Sequence, residues 1–117
     1  MNIIKDTSLP SASDRVAKWL SHCVQTHEQC RNPYTDYMPR RLLYVGSKNT
    51  SPFLFKPTRR APYVCLSYCW GVDTGDILKT TKHNLEAHYM AVPFSELPNT
   101  IRDAVTLCRA LQLENLW

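Results

Sequence analysis

The run Tyr63-Val64-Cys65-Leu66-Ser67-Tyr68-Cys69-Trp70-Gly71 constrains the fold of this chain more than any other stretch. It carries no charge, Pro62 stands directly before it, and Trp70-Gly71 ends it. A short apolar run held between such breakers reads as a buried strand. Tyr63 to Tyr68 is therefore expected to be the central, interior strand of a sheet. Its cysteines would lie inside, and the Trp70-Gly71 turn would reach the sheet's rim.

The rest of the chain supplies what such a strand needs. Its 117 residues suffice for one domain with a single core. Ser11 reads as an N-cap, with Asp14 in capping-box position. Val16, Trp19, Leu20, Cys23, His27 and Cys30 then recur at helical spacing, which predicts a helix over 13–30 after a flexible segment 1–12. Pro33 should end it, since proline disfavours helix in the residue before it. Strands are expected within 41–71: Arg41 to Val45 closed by Gly46, Phe53 to Lys56, and the central run. Thr80 or Thr81 can cap a short helix over 80–90. Leu97-Pro98 opens a helix over 98–112, whose apolar face is Ile101, Ala104, Val105, Cys108 and Leu111.

Residues 113–117 then begin another strand. A strand, a crossover helix and a further strand make a parallel unit, and parallel sheets are covered on both faces. The expected fold is α/β, and ending on the apolar pair Leu116-Trp117 reads as a fragment whose last strand is cut short.

Composition removes several functions. The formal charge is only +4, and the pairs Arg40-Arg41 and Arg59-Arg60 read as solvated strand ends rather than a grip on nucleic acid. No run approaches the roughly 18 apolar residues of a membrane span. The N-terminus lacks the apolar stretch of a secretory signal. Five cysteines, an odd number, then point to reduced thiols and a cytoplasmic protein.

Three constellations carry chemistry. Cys23, His27 and Cys30 share one helix stripe in the spacing Cys-x3-His-x2-Cys. The leading interpretation is core packing, where cysteine acts as a small apolar residue. The alternative is a metal site, in which these three leave one of zinc's usual four ligands missing, a place that Cys65 or Cys69 could fill. Ser67 sits mid-strand without the glycines of a nucleophile elbow, so no catalytic residue is assigned. The loop after the strand offers Trp70 for stacking, Gly71 for close backbone approach, and Asp73 and Asp76 as acceptors. Ligands of open α/β sheets bind at such strand ends; the competing interpretation is a Trp-Gly plug that turns the chain.

Taken together, Trp19-Leu20-x2-Cys23-x3-His27-x2-Cys30, Arg41-Leu42-Leu43-Tyr44-Val45, Leu66-Ser67-Tyr68-Cys69-Trp70-Gly71, Thr80-Thr81-x2-Asn84-Leu85, Leu97-Pro98-x-Thr100-Ile101-x-Asp103-Ala104-Val105 and Leu116-Trp117 resemble the fungal heterokaryon incompatibility (HET) domain. The resemblance spans Trp19 to Trp117 and implies a partial domain, cut before the family's Ile-Asp-Ser-Leu-Cys-Ile strand. It implies a flavodoxin-like parallel sheet, similar to Toll/interleukin-1 receptor (TIR) domains, with flanking helices. It implies a role in nonself recognition and programmed cell death through protein partners, including self-association at an unpaired sheet edge. Some relatives of that fold cleave NAD. In a full-length form Ser67, Tyr68, Trp70 and Gly71 would line the pocket, with Asp73 beside them, while no cofactor is expected for this chain alone. A zinc-stabilised binding module on Cys23, His27 and Cys30 is the remaining alternative. The sequence departs from the family at Cys65, usually alanine, at Gln112, usually glycine, and at Asn115, usually aromatic.

Overall fold

In the computed structural model, residues 8–30, 37–69, 71 and 77–117 are described. Helix α1 covers Leu9–Thr26, followed by a 3-10 turn at Glu28–Cys30. Strand β1 is Leu42–Tyr44 and β2 is Phe53–Phe55. Helix α2 is Leu85–Met90, a 3-10 turn spans Phe94–Glu96, α3 is Asn99–Ala110 and β3 is Asn115–Leu116.

The chain is α/β, but its sheet is antiparallel where a parallel, flavodoxin-like one was expected. Strand order is β2-β1-β3, and both pairings run antiparallel. The cause is local. A tight turn from Ser47 to Thr50 joins β1 to β2, closed by the Thr50 N–H donating to the Ser47 carbonyl at 3.1 Å. So short a connection permits only an antiparallel pair. Gly46 makes the turn possible: its φ is +69°, and a Cβ there would stand 2.5 Å from the Thr50 carbonyl oxygen.

One parallel element survives. Val64 bridges Leu116 in parallel, with the Val64 N–H donating to Asn115 O (2.9 Å) and the Leu66 N–H to Trp117 O (3.0 Å). The run from Tyr63 thus lies along β3 on the side away from β1, with α2 and α3 in the crossover. It is the edge of the layer, not the interior strand expected. Only the even-numbered amides reach β3, and the side chains alternate to match. Val64, Leu66 and Tyr68 are half-buried, while Cys65, Ser67 and Cys69 are exposed. The thiols expected inside are wet because they occupy the odd positions.

The core lies on one sheet face. Register sets Leu54, Leu43 and Leu116 side by side, with Val64 continuing the row. Over that face pack Val105 and Cys108 of α3, with Val92 and Leu97 from the segment before it. Val105 is fully buried. Helix α3 ends in a Schellman motif, with Leu113 N–H bonding Cys108 O (2.9 Å) and Gln112 N–H bonding Arg109 O (3.1 Å). Gln112 takes the left-handed residue of that motif at φ 58°. Arg109 clamps the helix to the sheet, its Nε donating to Val45 O at 2.8 Å and its guanidinium lying 4.9 Å from the Phe94 ring centroid.

The helices differ from expectation at their ends. Helix α1 begins at Leu9 rather than Ser13, with Ser8 as N-cap and Pro10 in the first turn, where no intrahelical N–H is needed. Ser11 is inside the helix and accepts from Arg15 at 2.8 Å instead of capping. Helix α2 starts at Leu85 with Asn84 as N-cap; Asn84 Oδ1 accepts from the Thr81 N–H at 2.6 Å and its Nδ2 donates to Lys79 O at 2.8 Å. Pro98 is the N-cap of α3 rather than its first residue. The largest difference concerns α1's apolar stripe, expected in the core. The helix buries no residue, and Trp19 is 60% exposed.

Candidate functional site

Of the five residues expected to meet a ligand after the central run, Trp70 and Asp73 lie outside the described residues, as does Asp76. The other three do not converge. Ser67 points to solvent and Tyr68 faces the opposite side, because alternate residues of an extended run face opposite ways. Gly71 has φ +80° and open space where a Cβ would stand, so its left-handed backbone, and not a close neighbour, is what favours glycine there.

Tyr68 instead belongs to an apolar trough. Leu43, Leu54, Leu66 and Leu116 form its floor, Ile101 of α3 one wall, and Arg41 and Trp117 complete the rim around about 320 Å³. Trp117 is 52% exposed. Its ring stands 5.5 Å from Tyr37 and 6.0 Å, edge-on, from Tyr63, whose hydroxyl donates to Tyr37 O at 3.2 Å. From the sequence Arg41 read as a solvated strand end and Trp117 as part of a last strand, and neither they nor Tyr37 carried a binding role. Trp117 is distant from the other two in the chain, and only the pairing of Val64 with Leu116 brings Tyr63 to Trp117. Asn115 fixes that pairing: buried, it donates from Nδ2 to Pro62 O at 3.1 Å.

The second constellation does converge. Cys23 and His27 are one helical turn apart, and His27 ends α1 in an extended conformation with its N–H still bonded to Cys23 O at 2.9 Å. The Cys30 N–H then bonds His27 O at 3.0 Å, and this turn carries Cys30 back toward Cys23. Cys23 Sγ lies 3.0 Å from Cys30 Sγ and 3.4 Å from His27 Nδ1, and all three donor atoms fall within 4.8 Å of one another. The shared hydrogen bond with Cys30 pushes the Cys23 thiol above its ordinary pKa, with burial adding to it. Cys108 is pushed up as well, by burial in the core. His88, buried on α2, contacts the Thr80 hydroxyl through Nδ1 at 2.8 Å.

No helix among the described residues is long and apolar enough to cross a membrane. Neither the curated proteins nor the solved structures give a match to this chain. A family match exists, and it begins at the edge run and takes in α2, α3 and β3. Residues 63–117 match the family model described as heterokaryon incompatibility protein (HET).

Proposed function

We propose that the chain is a fungal nonself-recognition module of the heterokaryon incompatibility type, acting in the cytoplasm in programmed cell-death signalling. It works by docking a protein, a second copy of itself included, and not by catalysis of its own. The observation that carries this reading is the position of the HET segment's first residues at a sheet edge. Val64 and Leu66 donate inward to β3, so the intervening amides of Cys65 and Ser67 point outward. No strand among the described residues pairs with that side. An edge of this kind accepts an added strand through main-chain hydrogen bonds, and the Trp117 rim beside it offers aromatic contact.

The reading is tested by controlled expression in a filamentous fungus, scoring compartment death with a vital dye. Cys65→Pro removes one outward N–H and leaves the inward ladder to β3 in place. Expression of the parent chain is expected to kill compartments, and the variant, checked for an unchanged circular-dichroism spectrum, to lose most of that effect. A folded variant that kills as well as the parent ends the docking reading; a parent that kills nothing ends the cell-death reading.

A further inference from the structure

We infer that Cys23, His27 and Cys30 bind zinc at the end of α1, these three being the ligands that the described residues bring together there. These residues precede the segment matched by the family model, so the inference does not rest on that match.

Two observations carry it. The first is convergence of the right atoms. Zinc–sulfur bonds of about 2.3 Å and zinc–nitrogen bonds of about 2.0–2.1 Å in a tetrahedron separate two sulfurs by about 3.8 Å, and sulfur from nitrogen by about 3.6 Å. The corresponding distances are 3.0 Å between the thiols and 3.4 Å from Cys23 Sγ to His27 Nδ1. The sulfurs need to part by roughly 0.8 Å to admit the ion. Cys30 is exposed on a 3-10 turn, which leaves its side chain room to rotate, and its Sγ lies within 4.8 Å of the His27 ring nitrogen. The second observation is that packing does not account for the cluster. Core burial was the competing reason for this stripe, yet α1 buries no residue and both His27 and Cys30 are exposed. Cysteines kept in a core are apolar filler, as Cys108 is at 3% exposure. Two thiols and an imidazole gathered outside the core form instead a donor set suited to zinc.

Binding forms two zinc–thiolate bonds and one zinc–imidazole bond. Each thiol gives its proton to solvent, and no electron is transferred. The described residues supply three of zinc's usual four ligands. The ion would tie the last turn of α1 to the 3-10 turn, so its binding free energy becomes local stability there.

The test uses the full chain, reduced and freed of metal, titrated with cobalt(II) and then zinc. The expected result is one cobalt per chain with thiolate charge-transfer absorption, displaced by zinc, and zinc-dependent slowing of amide exchange over residues 23–30. Cys23→Ser and Cys30→Ser should each weaken zinc by more than the roughly 10–100-fold that losing a hydrogen bond to a metal ligand costs. Because α1 lies outside the core, these variants should keep the parent's circular-dichroism spectrum. Absence of the charge-transfer band overturns the proposal. So does a band that survives Cys23→Ser, or one abolished by Cys65→Ser or Cys69→Ser, which would move the thiolates to the sheet edge.

Discussion

Helices α1 and α3 carry the same sequence signature and meet opposite fates. Each repeats apolar residues at three- and four-residue steps along one face. In α3 that face is the core: Val105 is 0% and Cys108 3% exposed, against the row of Leu54, Leu43 and Leu116. In α1 nothing is buried, and Trp19, Leu20 and Val24 lie open at 60%, 42% and 41%. Periodicity states what a helix can offer to bury; it does not say that the chain contains a surface large enough to receive it, and α1 touches α3 without burying any residue fully. Helix α3 has one because the Schellman turn after it returns the chain as β3, directly under the helix. Helix α1 is followed by no such return among the described residues, and its far end gathers thiols and an imidazole instead.

Truncating one residue on each side puts the contrast at its widest. Leu116→Ala removes a side chain 5% exposed in the core and should cost about 2–5 kcal/mol in chemical denaturation. Trp19→Ala removes a larger side chain from the open face of α1 and should cost less than about 0.5 kcal/mol. A loss above about 1 kcal/mol for Trp19→Ala would show that α1 packs against the core in solution, and the contrast would fail.

A smaller effect tests why the sheet is antiparallel. Gly46→Ala sets a Cβ against the Thr50 carbonyl and forces an alanine to φ +69°. The expected loss is about 1–3 kcal/mol. It should fall on the β1–β2 hairpin and leave α1 helicity unchanged. A neutral substitution would mean that the turn is not held in the conformation that fixes strand direction.

The parts of this architecture legible in the sequence are those decided by neighbours in the chain. The apolar face of α3, the strand around Leu42 to Tyr44 and the start of another strand near Asn115 all follow from local pattern. Sheet direction was legible too, in principle. Two short strands separated by Gly46 and a turn-like Ser47 to Pro52 are a hairpin signal, but the crossover through α3 suggests a parallel unit and holds only for the pairing of Val64 with Leu116. The run from Tyr63 was one of the pieces that carried the family resemblance, yet its lack of charge gave no sign that alternate residues face water. The trough was not legible, because Arg41, Tyr68 and Trp117 meet only after the edge run has paired with β3. The Cys-x3-His-x2-Cys spacing was visible, while its release from the core depends on tertiary packing that no local pattern encodes.

The smallest effect concerns the joint that gives α3 its advantage over α1. Gln112 holds the left-handed position of the Schellman turn at φ 58°, where a side chain costs energy that glycine does not pay. Its own side chain is exposed, so nothing in the core depends on it. Gln112→Gly should therefore raise stability by about 0.5–1 kcal/mol, a gain that offsets the extra unfolded-state entropy of glycine only because the native φ is positive. Equilibrium denaturation measures the difference directly. A destabilised variant would mean that Gln112 is not left-handed in solution, and the return of the chain beneath α3 would then need another cause.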